Sequence, residues 1–142
     1  LLDQTLGEYG EKLSAAGLEP VLTKPEKPVI IMADGRHMWR IFDNLLNNIC
    51  KYSQRGTRVY LEVCERDGKA VVTFRNISSR QLNISSDELM ERFVRGDSSR
   101  STEGNGLGLS IAQSLTELQG GKMALAIDGD LFKAILRFPT VV

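Results

Sequence analysis

The sequence predicts an α+β fold in which about three helices pack on one face of a mixed, mostly antiparallel sheet, forming a two-layer α/β sandwich. Apolar and polar residues alternate on both sides of Asp67-Gly68 and of Asp128-Gly129, which is the pattern of β-hairpins. Other segments carry apolar residues at helical spacing. Because 142 residues suffice for one domain with its own core, we expect a single domain over residues 1–142.

The N-terminal part of the chain predicts a helix followed by two short strands. Apolar residues recur at helical spacing from Leu2 to Ala16, and Gly17 stands where a helix C-terminus favours a left-handed residue. Residues 18–23 and 29–32 are extended stretches, separated by the sequence KPEKP, which predicts a loop. We therefore expect one helix and two strands that suit a sheet edge.

A second, longer helix is predicted by apolar residues that fall on one face at about 100° per residue. They are Met38, Ile41, Phe42, Leu45, Ile49 and Tyr52. Asp34 directly precedes this pattern, where an aspartate side chain can accept hydrogen bonds from the first free backbone N–H groups. The sequence therefore predicts an amphipathic helix with Asp34 as its N-cap.

The second half of the chain predicts two hairpins around one further helix. The hairpin arms cover residues 57–74 and 123–138. Between them, residues 76–108 form the longest irregular stretch, with a short helical piece around DELMERF, and a loop of that length in a compact domain is usually functional. The buried stripe of the following helix is predicted to be Ile111, Ala112, Leu115 and Leu118.

Composition excludes several classes of protein. With 18 basic and 18 acidic residues, no global field attracts nucleic acid or an anionic membrane, so any polyanion site must be local. Cys50 and Cys64 lack metal-ligand spacing, and we interpret them as small core or surface residues of a reducing compartment. No apolar run approaches the length of a membrane span or a signal peptide, so we expect a soluble chain.

A glycine-rich motif precedes the last helix. GNGLGLSIAQSL places Gly104, Gly106 and Gly108 where free N–H groups and the positive end of a helix dipole could bind a phosphate. A flexible helix entry without a ligand explains the glycines equally well. The spacing is neither a dinucleotide-binding fingerprint nor a Walker motif.

An asparagine motif lies in the predicted second helix. In NLLNNICKYS, the residues Asn44, Asn48 and Lys51 lie at i, i+4 and i+7, so they form one stripe beside the apolar face. Amide oxygens can ligate Mg²⁺ and lysine can bind phosphate, which suggests a metal-phosphate face. A solvated helix face is the alternative. Tyr52 is either core filler or a stacking partner for a base.

An arginine-rich motif follows in the irregular stretch. ERFVRGDSSRSTEG carries Arg92, Arg95 and Arg100 close to the glycines. Basic residues on a mobile loop suit a lid over a polyphosphate. A solvated loop in which acidic and basic residues cancel is the alternative that these residues leave open.

In their order and separation, these motifs resemble the N box, F box and second glycine box of the catalytic ATP-binding domain of bacterial sensor histidine kinases. The resemblance extends from about Leu1 to the C-terminus, because the helices and hairpins also suit that family's Bergerat-type, or GHKL, sandwich. It implies a domain that binds Mg-ATP and passes the γ-phosphoryl group to a histidine on a partner domain. It also implies that residues 76–108 hold the ATP lid.

The same resemblance assigns roles on the predicted second helix. It makes Asn48 the Mg²⁺ ligand and Asn44 a neighbour in the catalytic site. Lys51 becomes a phosphate contact, and Tyr52 borders the adenine or the ribose.

For the lid and the glycine box, the resemblance places Arg95 and Arg100 over the terminal phosphates and makes Phe93 an anchor of the lid. The residues below the phosphates are then Gly104, Gly106, Leu107 and Gly108.

One motif departs from the family pattern. The first glycine box of the family reads DxGxG, and its Asp accepts a hydrogen bond from the adenine amino group. The corresponding stretch here is FRNISSR, with Asn76 at the Asp position and Ser78 and Arg80 at the glycine positions. Asn76 can still accept through its amide oxygen, but it is uncharged, so we expect weaker adenine recognition.

The phosphoacceptor histidine of the family is absent. The sole histidine, His37, lies at the start of the second predicted helix, and we interpret it as a surface or capping residue. The resemblance implies an acceptor on a helical dimerisation domain N-terminal to Leu1. It further implies a membrane-anchored parent sensor that holds this part in the cytoplasm and signals to a response regulator.

Three functions are compatible with the fold that the motifs imply. The first is a protein-histidine kinase domain, and the second is a nucleotide-sensing or partner-docking module with weak or no kinase activity, since the first glycine box is degenerate. The third is ATP hydrolysis, as in the gyrase B or MutL group, which uses a glutamate four residues before the metal-binding asparagine to activate water. Position 44 holds Asn44, and because an amide cannot act as that base, hydrolysis is disfavoured.

Overall fold

This computed structural model describes residues 1–79 and 105–141, and for residues 105–108 it describes the backbone alone. The described part consists of a five-stranded sheet and a layer of helices. The strands are β1 (Glu19–Thr23), β2 (Arg58–Arg66), β3 (Lys69–Ile77), β4 (Lys122–Asp128) and β5 (Leu131–Pro139). The helices are α1 (Leu2–Glu8), α2 (Gly10–Ala15), α3 (Gly35–Tyr52) and α4 (Asn105–Leu118).

The sheet is mixed, with the strand order β1-β2-β3-β5-β4. β1 runs parallel to β2, and the other neighbouring strands are antiparallel. Both predicted hairpins are confirmed, and their turns contain residues with positive φ at Asp67, Gly68 and Gly129. Asp and Gly tolerate that conformation, which explains why the turns form at these residues.

One face of the sheet packs against the helices and the other is partly exposed. Along β3 and β5, side chains alternate between buried and partly exposed positions, so every second residue enters the core. The rings of Phe42 on α3 and Phe74 on β3 lie 5.9 Å apart between centroids, so α3 lies over the middle of the sheet. The predicted two-layer α+β architecture is confirmed.

Asp34 caps α3 as predicted. Its Oδ1 accepts hydrogen bonds from the backbone N–H groups of Arg36, at 2.8 Å, and His37, at 3.3 Å. These two bonds lower the pKa of the Asp34 carboxyl below its usual value. The predicted apolar face is buried from Met38 to Ile49, so the helix that carries the asparagine motif is fixed on the sheet.

The prediction of one continuous first helix was wrong, because the chain forms α1 and α2 with Tyr9 at the junction. Gly7 and Gly10 flank Tyr9, and glycine is a poor helix former. The Tyr9 hydroxyl also donates to the backbone carbonyl and the carboxylate of Asp43 on α3. The predicted end at Gly17 is confirmed by its φ of 71°.

The predicted strand over residues 29–32 was also wrong. Only Ile31 forms an isolated bridge, to Thr140, and the backbone N–H of Val141 donates to the Ile30 carbonyl. Pro25 and Pro28 lie just before this stretch, and proline lacks the N–H group that a strand ladder needs. The segment therefore runs past the C-terminal end of β5 as a loop.

Both ends of the stretch that was predicted to be irregular, residues 76–108, are regular secondary structure. Asn76 and Ile77 belong to β3, and the helix begins at Asn105, so Gly106 and Gly108 lie inside its first turn rather than before it. Helix boundaries are the least specific part of a periodicity prediction, because the apolar pattern begins only where burial begins.

The buried stripe of α4 differs from the prediction as well. Ala112 is buried as predicted, but Leu118 is 69% exposed, while Leu109 and Thr116 are fully buried. Thr116 donates its hydroxyl to the Ala112 carbonyl at 2.7 Å, which allows a polar side chain to enter the core. Apolar periodicity alone cannot detect that residue.

The bond from Tyr9 to Asp43 should stabilise the fold measurably. Burial, and next the bond to Asp43, raise the pKa of the Tyr9 phenol above its ordinary value of 10.0. We expect Tyr9→Phe to lower the free energy of unfolding at pH 7 by about 1–3 kcal/mol, because the charged Asp43 loses a donor. The pKa of the Tyr9 phenol is higher in the folded state than in the unfolded state. The stabilisation is therefore complete below pH 10 and declines as the pH rises above it.

Urea denaturation of wild type and Tyr9→Phe at pH 7, 9 and 11 checks this expectation. The stability difference should be constant to pH 9 and smaller at pH 11. Tyr60→Phe, on the exposed sheet face, is the control and should change stability by less than about 0.5 kcal/mol. If the difference in free energy of unfolding between wild type and Tyr9→Phe grows above pH 10, the Tyr9 phenol is not the protonated donor to Asp43.

Gly121 is required by a close approach of β5. A Cβ atom at Gly121 would lie 2.6 Å from Cδ1 of Phe138 and 2.7 Å from the Arg137 carbonyl oxygen. We expect Gly121→Ala to destabilise the fold by about 1–3 kcal/mol in chemical denaturation, because buried backbone cannot move aside. Gly7→Ala meets no atom within 4 Å in α1 and is the matched control, with unchanged or slightly raised stability.

Candidate functional site

The C-terminal half of α3 presents the predicted asparagine stripe at the edge of the core. Asn44 and Asn48 are half-buried, whereas Lys51 in the last turn is exposed. Leu45 and Ile49 next to them are buried in the hydrophobic core. The stripe therefore borders the α3–sheet packing, rather than facing solvent entirely.

Asn44 contains an unusual buried atom. Its Nδ2 is inaccessible to solvent and has no hydrogen-bond partner within residues 1–79 and 105–141. A buried donor without a partner costs about 1–3 kcal/mol, and such groups are rare in folded proteins. A polar ligand or a water molecule is the usual explanation.

Asn76, at the end of β3, contains a second such atom. Its side chain points to the helical layer and is only 3% exposed. Nδ2 donates to the Ser53 hydroxyl at 2.8 Å, but Oδ1 is buried without a partner among the described residues. Among the described residues, α3 thus offers one free amide donor, from Asn44, and β3 one free amide acceptor, from Asn76.

Backbone bonds tie the end of α3 to the end of β3. Ser53 and Ser78 form an isolated bridge, and the Gln54 N–H donates to the Ile77 carbonyl at 2.7 Å. The Ser79 N–H donates to the Tyr52 carbonyl at 2.8 Å. These bonds hold the backbone around Asn76 in place.

Sequence reasoning missed Ser53. In the sequence, Ser53 is marked only by its position directly after NLLNNICKY, where the helix ends. The spacing of apolar residues carries no information about a hydroxyl group at that point. Tyr52 is half-buried and its carbonyl belongs to the backbone ties, so its packing role and a contact with a base are compatible.

The glycine motif lies at the N-terminus of α4, which packs along α3. Gly106, Leu107 and Gly108 are in the first turn, where backbone N–H groups lack a partner within the helix and can bind an anion. The other predicted residues of this part lie outside the described residues. They are Arg80, Arg92, Phe93, Arg95, Arg100 and Gly104.

The described side chains do not form a free-standing metal centre. Within residues 1–79 and 105–141, no group of three or more His, Cys, Asp or Glu side chains could hold an ion. Asn48 supplies an amide oxygen, and Mg²⁺ prefers oxygen ligands, often including phosphate oxygens of a substrate. The donor set fits an ion that arrives with a nucleotide.

A cavity of about 580 Å³ lies at the other end of α3. Its wall includes Gly35, Met38 and Phe42 of α3, together with residues of the 24–33 loop. Neither the asparagine stripe nor Asn76 contributes to it. The volume of a cavity therefore does not identify the candidate site. The two unpartnered amide atoms identify it.

The thiols and the histidine lie elsewhere. Cys50 and Cys64 are half-buried free cysteines, and burial raises the pKa of the Cys50 thiol, which makes it less reactive. His37 lies in the capped first turn of α3, where its backbone N–H bonds to Asp34. No helix in the described ranges is long and apolar enough to cross a membrane.

Comparison with known proteins identifies the family. The profile described as "Histidine kinase-, DNA gyrase B-, and HSP90-like ATPase" matches residues 33–140. The probable sensor protein PcoS of Escherichia coli is 39% identical over 103 residues, which cover 70% of this chain and 22% of PcoS. The chain thus spans less than a quarter of that relative's length.

Solved structures show the same fold. The catalytic domain of histidine kinase ThkA, in a nucleotide-free form, is 19% identical with a TM-score of 0.82, and the match covers 97% of this chain and 89% of that one. Full-length ShkA in complex with AMPPNP is 22% identical with a TM-score of 0.79, covering 99% of this chain and 29% of ShkA. The chain belongs to the histidine kinase-, DNA gyrase B- and HSP90-like ATPase family, as a catalytic ATP-binding domain of the two-component histidine kinase type.

Proposed function

We propose that this domain binds Mg-ATP and transfers the γ-phosphoryl group to a histidine on the helical dimerisation domain of its parent kinase. One observation carries the proposal: among the described residues, the Asn44 Nδ2 donor on α3 and the Asn76 Oδ1 acceptor on β3 are both buried and unpartnered. A bound nucleotide would satisfy both. The AMPPNP bound by the similar protein ShkA supports a nucleotide as the ligand.

Different described residues would contact different parts of the nucleotide. Asn76 Oδ1 would accept from the adenine amino group, and Asn44 Nδ2 would donate to an oxygen of the nucleotide. Asn48 would supply an oxygen ligand to Mg²⁺, which would neutralise phosphate charge. Lys51 and the first turn of α4, including Gly106 and Gly108, would bind phosphate oxygens.

The remaining site residues belong to the proposed ATP lid, which would lie between β3 and α4. Arg95 and Arg100 would contact the terminal phosphates, and Gly104 would serve as a hinge. In the whole protein, the domain would act in the cytoplasm on its own dimerisation domain, and a response regulator would receive the phosphoryl group downstream. A membrane-anchored parent sensor is part of the same proposal.

Catalysis by this arrangement would consist of positioning and charge stabilisation. Phosphoryl transfer needs little covalent chemistry from the protein, and orientation of the acceptor supplies much of the rate. Asn44 cannot act as a general base toward water, because an amide does not accept a proton at neutral pH. The site therefore favours transfer to an imidazole over hydrolysis.

Calorimetry of the chain with ATP, with and without Mg²⁺, tests nucleotide binding. Saturable binding that tightens with Mg²⁺ supports the proposal. No heat of binding at millimolar ATP in either condition would refute it, provided that circular dichroism shows a folded domain.

A second candidate function is a nucleotide-sensing or partner-docking module of the same fold. The observation in its favour is the altered first glycine box, in which Asn76, Ser78 and Arg80 replace the family's Asp and two glycines. Weak ATP binding without any phosphoryl transfer to the acceptor domain would favour this module over the kinase.

A further inference from the structure

We infer that Asn76 and Ser53 form a base-selecting pair that accepts 6-oxopurine nucleotides as well as adenine nucleotides. The inference rests on the proposed function, because it places the purine ring against Asn76. It extends that function from ATP to a wider substrate class, which includes inosine and guanosine triphosphates.

The first step is the chemistry of the Ser53 hydroxyl. It accepts the Asn76 Nδ2 hydrogen bond at 2.8 Å. A hydroxyl can equally donate, so rotation of its hydrogen would let it bond to Oδ1 if the amide were turned by 180°. Ser53 therefore pairs with either orientation of the Asn76 amide.

The second step is that the two orientations fill the same space. The oxygen and nitrogen of an amide are nearly identical in size, so a turn moves no neighbouring atom. The amide atom of Asn76 that does not bond to Ser53 has no partner among the described residues, so no other group there favours one orientation. The purine itself would decide which amide atom faces it.

The third step is the position of the pair. The backbone ties between Tyr52 and Ser79 and between Gln54 and Ile77 hold both sides of the Ser53–Asn76 bond. Asn76 is also paired in β3 with Phe132 of β5. The backbone on both sides of the pair is therefore fixed, while the polarity of the Asn76 amide is not.

These steps predict a site of either polarity at the purine 6-position. When Nδ2 bonds to Ser53, the free Oδ1 of Asn76 accepts from the 6-amino group of adenine. When Oδ1 bonds to Ser53, the free Nδ2 donates to the 6-oxo group of hypoxanthine or guanine. An aspartate in this position could only accept, and it would place its negative oxygen against the 6-oxo group. Asn76 thus removes a discrimination that a carboxylate would enforce.

The experiment compares ATP with ITP, which replaces the 6-amino group by an oxo group and adds no 2-amino group. Calorimetry on the wild-type chain with Mg²⁺ should give dissociation constants for the two nucleotides within about tenfold of each other, since each orientation makes one hydrogen bond. In Asn76→Asp, the ITP-to-ATP ratio of dissociation constants should rise by about 100-fold, because a buried acceptor then faces an acceptor.

Asn47→Asp is the matched control, because Asn47 is exposed on α3 and the change adds the same charge. Its ratio should equal that of the wild type. A wild-type ratio above about tenfold, or a ratio that Asn76→Asp leaves unchanged, overturns the inference while ATP binding still supports the proposed function. If the wild type binds neither nucleotide, the proposed function itself fails. The wild-type ratio decides the question if Asn76→Asp does not fold.

Discussion

Replacing Asn48 with alanine will remove the magnesium-dependent part of ATP binding and leave the fold intact. Asn48 is the half-buried middle residue of the asparagine stripe and supplies the only oxygen that we assign to Mg²⁺ from the described side chains. Losing one such contact to a charged ligand should weaken Mg-ATP binding by about 10- to 100-fold. Alanine is a better helix former than asparagine, so α3 should retain its stability.

Calorimetry with and without Mg²⁺, together with thermal melting, measures both halves of this expectation. Asn47→Ala is the matched control, because Asn47 is the adjacent residue of the same helix but is exposed, and its Mg-ATP affinity should equal that of the wild type. If Asn48→Ala binds Mg-ATP like the wild type, the metal assignment is wrong. An equal loss in the absence of Mg²⁺ would instead assign Asn48 to the nucleotide.

The sheet and α3 could be predicted from the sequence because burial repeats with a fixed period in both. In β3 and β5, every second residue enters the core, and α3 buries a continuous apolar face after the Asp34 cap. Local chemistry and tertiary packing agree in these elements. The turns follow for the same reason, because Asp67 and Gly68 adopt backbone conformations that suit a hairpin.

Two errors in the fold arose where a side-chain hydrogen bond accompanies a departure from the apolar pattern. Tyr9 continues the apolar periodicity of the first helix, yet its bond to Asp43 and the neighbouring glycines divide that helix. Thr116 enters the core of α4 because its hydroxyl bonds to a carbonyl one turn earlier, while Leu118 remains exposed. Neither arrangement is visible in the spacing of apolar residues.

The candidate site was predictable only in part. The spacing of Asn44 and Asn48 predicts that both lie on one side of a helix, whatever their partners. The contact between Asn76 and Ser53 joins residues 23 positions apart and depends on how α3 crosses β3. The two unpartnered amide atoms are likewise properties of packing, so only the three-dimensional arrangement reveals them.

The chain alone should neither phosphorylate itself nor hydrolyse ATP at a useful rate, but it should phosphorylate the acceptor histidine of its parent's dimerisation domain. Its sole histidine, His37, lies in the first turn of α3, whereas Asn48 lies eleven residues later in the same helix. That separation corresponds to about 16 Å of helix rise, too far for in-line attack within one molecule.

Incubation with γ-labelled ATP, with and without the purified acceptor domain, separates the possible acceptors. Transfer should require the acceptor domain and should persist in His37→Ala, because His37 takes no part in it. Acid-labile label on His37 would contradict the geometry, since both ends of the required path lie in one rigid helix. Rapid phosphate release from the chain alone would contradict the expected lack of ATP hydrolysis. Asn44 cannot act as a base toward water, so the γ-phosphoryl group has no acceptor until the dimerisation domain supplies an imidazole.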